Sequence, residues 1–196
     1  MAGIGTVAAP AVRRTPGSLL GMVIFITSEL MFFGALFGAY FTIRAQAGEW
    51  PPEGTPHIDA LRTAIFTIFL VVSSFTQHLG VVAIRKGEKD GCVLWTAVTI
   101  ALGLVFLGGQ ALEYSELFDE GFTIGTNVFG TLFFTMTGFH GLHVAGGLLM
   151  LAIVGAKARM GHFTAERHGP AEAVGYYWHF VDVVWLFLFL VLYLLT

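Results

Sequence analysis

"GMVIFITSELMFFGALFGAYFTI", residues 21–43, carries a single charged side chain, Glu29, in 23 positions. As a helix this stretch is about 34 Å long, enough to cross roughly 30 Å of hydrocarbon. A membrane strand would be much shorter and would alternate polar with apolar residues, which this run does not. Lipid is therefore the solvent to reason with. A carboxylate in lipid is costly unless paired or hydrated, which makes Glu29 the exception to explain and a candidate functional group.

The composition of the whole chain agrees. Of 196 residues, 56% are apolar and 12% charged, against about half and about a quarter in soluble domains. A net charge of −3, with no basic run longer than two residues, gives no footing for nucleic acid. The single cysteine, Cys92, rules out an intrachain disulfide. The opening "MAGIGTVAAPAVRRTPG" places its arginines late and has no short apolar core before a cleavage site. It reads as a tail, 1–17, and not as a cleavable signal peptide.

Charges divide the remainder into five apolar runs, giving expected spans at about 18–44, 62–85, 91–113, 127–156 and 172–196. The fold class expected is all-α: a polytopic membrane protein, a bundle of five transmembrane helices. With five spans the N-terminus shares a side with the loops at 85–90 and 157–171. That side holds Arg13, Arg14, Arg85, Lys86, Lys89, Lys157, Arg159 and Arg167, while the other holds Arg44 and Arg62. The positive-inside rule then puts the N-terminus in the cytoplasm and the C-terminus outside. The outer loops are acidic, with Glu49, Glu53 and Asp59 in one and Glu113, Glu116, Asp119 and Glu120 in the other. A solvated rim and a docking surface for a cationic partner both account for them.

At about 1.5 Å per residue, Glu29 comes roughly 16 Å from the cytoplasmic end of its span and Asp182 roughly 14 Å. His140 and His179 fall near 10–12 Å, and His143 and His78 near 8 Å, by the same approximate rise. The expectation is one buried polar layer of Glu29, His78, His140, His143, His179 and Asp182, confined to the cytoplasmic half. "GFHGLHV" and "HFVD" each pair two polar groups three residues apart, on one helix face. A carboxylate-bridged di-iron bundle needs Glu-x-x-His pairs, which are missing, and two stacked haems need histidines well separated along two helices. No metal site is expected, therefore. Histidines bonded to neighbouring helices or headgroups, and a proton-linked role, remain as the two readings. Gly34 with Gly38, and Gly141 with Ala145, offer small faces for close helix approach. Trp50 and Tyr114 are expected at the outer interface, and Tyr176, Tyr177 and Trp178 at the inner one. No internal repeat of the transporter kind is visible.

"TSELMFF" (27–33), "GQALEY" (109–114), "TGFHGLHV" (137–144) and "YYWHFVDVVWLFLF" (176–189) resemble, in order, the hallmark stretches of subunit III of haem-copper terminal oxidases. The resemblance covers all five spans. It is to the five-helix bacterial form, and "FTIRAQAGEWPP" is similar to the actinobacterial cytochrome c oxidase type. The resemblance implies a non-catalytic chain with no cofactor of its own. Haem and copper would belong to partner subunits, and phospholipid would sit in a helix cleft. Subunit I would be the main contact, with other oxidase subunits nearby and a cytochrome c region possible at the acidic outer loops. It implies a bacterial plasma membrane, and it makes Glu29 the counterpart of a carboxyl that reacts with hydrophobic carbodiimides. Loss of such a subunit is associated with slower proton uptake and turnover-dependent inactivation. Arg85, Lys157, Arg159 and Trp178 become candidates for lipid contact.

Glu29 is flanked at i±3 and i±4 by Phe25, Ile26, Phe32 and Phe33. It is expected to donate a hydrogen bond to a neighbouring helix or a lipid carbonyl, because desolvation penalises the anion. No relay of protonatable groups continues outward from it, so it is not expected to be a pump element. The equivalent subunit of a quinol oxidase, an accessory protein of a nitric oxide reductase, and a small secondary transporter built on Glu29 and Asp182 are the alternatives.

Overall fold

The computed structural model describes residues 17–196, which form five long helices. The expected tail, with Arg13 and Arg14, lies outside the described residues except for Gly17. In order, α1 spans Gly17–Gln46, α2 Ala60–Arg85, α3 Lys89–Asp119, α4 Val128–Arg159 and α5 Gly169–Phe189. A single π-helical stretch, Leu190–Leu194, continues α5. All five are long and apolar enough to cross a membrane, and no strand occurs among the described residues.

The helix ends follow from local chemistry. Asp59 caps α2 by accepting from the Arg62 N–H (3.0 Å), and Asn127 caps α4 by accepting from the Gly130 N–H (2.8 Å). Pro170 sits in the first turn of α5, where its missing N–H costs nothing. Three helices stop in the same way, at Gly87, Gly121 and Gly161, with φ of 81°, 78° and 74°. After each, the next N–H reaches back to a carbonyl five residues earlier: Glu88 to Ala83 (3.0 Å), Phe122 to Leu117 (2.8 Å) and His162 to Lys157 (3.0 Å). A left-handed residue is required there, and glycine adopts it without a Cβ clash.

Helices α2, α3, α4 and α5 pack in a closed ring, each against the next and α5 back against α2. Helix α1 lies outside this ring, mainly against α5 with a small contact to α4. At the centre are Trp178, Trp185, Phe106, Phe133 and Met136, all at most 1% exposed. Backbones approach where glycine leaves room: a Cβ on Gly103 or Gly147 would come 2.9 Å or 2.8 Å from the Trp178 ring. Close approach is thus found at Gly103 and Gly147, and also at Gly109 against the Phe66 ring. The expected small face at Gly34 and Gly38 meets nothing within 4 Å, and Gly141 faces the Gln110 carboxamide.

Trp178 is fully buried, and its indole N–H donates to Ser73 Oγ (2.9 Å). That corrects its assignment to lipid, because α5 turns this face of the interfacial aromatic cluster into the ring while Tyr176 stays exposed. Helix α3 also continues to Asp119, so Glu113 belongs to a helix and not to an outer loop.

Candidate functional site

The polar residues singled out in the sequence do not form one layer. The fold separates them into three groups, because α1 meets α4 from outside the ring, α2 meets α5 along a separate seam, and the remaining face of α4 turns into the ring.

The first group joins α1 to α4. Glu29 Oε2 lies 3.0 Å from His143 Nε2, and His143 Nδ1 lies 2.7 Å from the Phe139 carbonyl. A carbonyl only accepts, so Nδ1 carries a proton and donates to it. Nε2 then accepts from a carboxyl or donates to a carboxylate. Either form shares one proton between the side chains and leaves the pair with no net charge, which explains how Glu29 is tolerated beside Phe32 and Phe33. Both rings wall the pair in, with Phe33 edge-on to His143 at 5.0 Å and Phe32 stacked at 6.2 Å. From α5, the Tyr177 hydroxyl donates to the His143 carbonyl (3.0 Å), which fixes the same stretch of α4.

The second group lies on the seam between α2 and α5. Ser74 Oγ donates to Asp182 Oδ2, and His179 Nδ1 stands 2.8 Å from the same hydroxyl. Ser74 has one proton to give and gives it to Asp182, so His179 Nδ1 is the donor to Ser74. Asp182 is 5% exposed, whereas His78, one turn along α2 from Ser74, is exposed. His78 is therefore not part of a buried layer, because the α2 surface that carries it faces away from the ring. Further along the seam Arg85 Nε donates to Glu172 Oε1 (2.6 Å), and His168 Nε2 is 3.2 Å from the same oxygen. Arg85 is thus engaged by a carboxylate of its own chain. Lys157 and Arg159 are exposed at the end of α4.

His140 is the third group, alone in the ring. It is fully buried, neither ring nitrogen has a partner among the described residues, and it stacks on Trp185 at 4.9 Å with Phe106 edge-on at 6.0 Å. His140 and His143, three residues apart, therefore serve different neighbours: one faces the ring interior and the other faces α1.

Reading charges as helix ends missed a fourth polar centre. Glu113 is 4% exposed and accepts from the Thr63 hydroxyl (3.0 Å) and the Tyr193 hydroxyl (2.8 Å). Tyr193 sits on the π-helical turn. Arg62 and Glu116 pair just outside it. Polar groups are hence present toward both ends of the bundle. The available signal was "GQALEY", where Gln110 and Glu113 are three apart and share a helix face. Outside the spans, the Thr164 hydroxyl donates to Glu166 (2.9 Å) and holds its carboxyl below the usual carboxylate range.

Among the described residues no three His, Cys, Asp or Glu side chains come together as a metal group. Three of the polar centres instead bond between helices, Glu29 with His143, Ser74 with Asp182 and His179, and Glu113 with Thr63 and Tyr193, the arrangement of a membrane bundle held in register by polar contacts, while His140 and Asp182 Oδ1 have no partner among the described residues.

Comparison with known proteins gives one consistent answer. The family described as cytochrome c oxidase subunit III matches residues 5–196. The cytochrome c oxidase subunit 3 of Thermostichus vulcanus is 46% identical over 179 residues, covering 91% of this chain and 87% of the relative. The probable cytochrome c oxidase subunit 3 of Mycobacterium leprae (strain TN) is 43% identical over 175 residues, 89% of this chain and 86% of its own. That of Corynebacterium diphtheriae is 42% identical over 186 residues, 93% and 90%. Motifs, five membrane-capable helices and near full-length similarity meet in one conclusion: the chain belongs to the cytochrome c oxidase subunit III family and is a multi-pass membrane subunit of an oxidase complex.

Proposed function

We propose that this chain is the non-redox subunit of an aerobic respiratory haem-copper oxidase in a bacterial plasma membrane. It packs beside the subunit that holds haem and copper, retains phospholipid along its helices and supports proton uptake during oxygen reduction. The N-terminus is cytoplasmic and the C-terminus outside, a reading that rests on the eight-to-two asymmetry of basic residues. The observation that carries the proposal is the similarity along residues 5–196.

The polar clusters suit a supporting role. In each, side chains of different helices bond to one another: Glu29 to His143, Ser74 to Asp182 and His179, and Glu113 to Thr63 and Tyr193. Such contacts hold helices in register. Lys157 and Arg159, exposed and without an ion pair among the described residues, suit phospholipid headgroups better than Arg85, which Glu172 already engages.

Stripping this chain from the purified oxidase tests the reading. Haem and copper content should stay constant while proton uptake slows and the enzyme inactivates after fewer turnovers. Haem or copper leaving in proportion to the chain would contradict a non-redox role.

A further inference from the structure

The outer surface of the bundle is apolar on every side but one. Between Leu94 and Leu112 the exposed residues of α3 are leucine, alanine, valine and glycine. Between Phe139 and Ala156 those of α4 are phenylalanine, leucine, alanine and isoleucine. Beyond its first turn, the exposed hydroxyls of α1 are spent on their own helix: Thr27 donates to Val23, Ser28 to Phe25 and Thr42 to Gly38. Lipid chains suit all three surfaces.

The α2–α5 seam differs. Among the described residues, His78 is the one acidic, basic or histidine side chain exposed more than a turn from the end of its helix. It lies about 10 Å from the Arg85 end, and no partner among the described residues bonds to either ring nitrogen. Beside it a groove of about 200 Å³ runs along the seam, lined by His78, Arg85, Glu172, Gly175, Tyr176 and His179. Its charged groups are mutually engaged, Arg85 with Glu172, so it offers no free cation for an anionic headgroup. What stays open is imidazole. His179 spends Nδ1–H on Ser74, leaving Nε2 to accept, and His78 has one donor and one acceptor nitrogen free. Hydrocarbon satisfies neither ring, and at this depth an exposed ionisable group belongs against protein or water.

We propose that the α2–α5 seam is the face by which this chain docks onto a neighbouring membrane subunit. The occupant is a transmembrane helix that presents a hydroxyl or carboxamide side chain, able to donate to His179 Nε2 and to bond His78. The chemistry follows from which nitrogens are free, and the groove gives that side chain room. Phe75 and Val183, 68% and 52% exposed on either border of the stripe, supply the apolar flanks of the contact. The inference rests on the chain being an oxidase subunit and adds which face it turns inward.

Photo-cross-linking in the purified, haem-containing complex tests it. A benzophenone amino acid replaces Phe75 or Val183 on the seam, and Leu104 or Leu149 on the α3–α4 side. Cross-links from Phe75 and Val183 to another subunit of the complex, identified by mass, are expected, while Leu104 and Leu149 should label lipid. The pattern reversed, or seam positions labelling only lipid or a second copy of this chain, overturns the docking face and leaves the subunit role intact. His78→Leu should cost retention of the chain in detergent at least several-fold, and His78→Gln should recover most of it. Equal retention of His78→Leu and the parent counts against the seam. A chain that purifies alone, with no haem, overturns the subunit role and the docking face together.

Discussion

Glu29 and His143 account for each other. Without the imidazole, the carboxyl in "SELMFF" would sit among phenylalanines with no partner, and without the carboxyl His143 Nε2 would face α1 unbonded. Interhelical hydrogen bonds in membranes are worth roughly 1 kcal/mol each. Glu29→Gln keeps a donor for Nε2 and should leave helix association and proton pumping by the assembled complex near the parent level. Glu29→Leu removes the bond and should loosen α1 by about that 1 kcal/mol, read as earlier release of the chain during a detergent titration. Loss of pumping in Glu29→Gln would make the carboxyl a transfer element and contradict the reading of the pair as a helix tie. His140 is the contrasting case, since the same motif buries it against Trp185 with both nitrogens unbonded among the described residues.

At the scale of the element, α1 differs from the other four. It is held from outside the ring by few ties: Glu29 to His143, the Tyr40 hydroxyl to the Val191 carbonyl (3.0 Å), the Arg44 guanidinium to the Leu195 carbonyl, and rings such as Phe32 against Phe139 (5.0 Å). Inside the ring, helices approach where Trp178 lies over Gly103 and Gly147. Gly147→Ala drives a methyl into that indole and should destabilise the bundle by about 1–3 kcal/mol, as overpacking does. Gly108→Ala meets nothing within 4 Å and should be neutral or slightly stabilising, since alanine favours helix over glycine by up to about 1 kcal/mol. Thermal unfolding of the two variants in detergent separates them. If both unfold together, the close approach at Trp178 is not a constraint.

For the molecule as a whole, the five helices were legible because lipid imposes a crude and strong pattern, long apolar runs broken by charge. What was not legible follows from the same rule. Treating Glu113 as a boundary hid a buried carboxyl, because a charge that finds Thr63 and Tyr193 need not end a helix. Trp178 looked interfacial beside Tyr176 and Tyr177, since three consecutive residues of a helix point in different directions and only packing says which is inside. Residue counts give a position along each helix but not which way the side chain faces. Glu29, His140, His179 and His78 thus read as one layer, though they face α4, the ring interior, the seam and the outside.

The account makes one demand above the others, that this chain travels with redox centres it does not hold. The direct measurement is purification through a tag on this chain in mild detergent, followed by a redox difference spectrum and copper analysis before and after the chain is dissociated. Haem and copper should co-purify with it and, on dissociation, remain wholly with the other subunits. A tagged chain that comes through without haem or copper, or that carries either one away with it, would contradict the account.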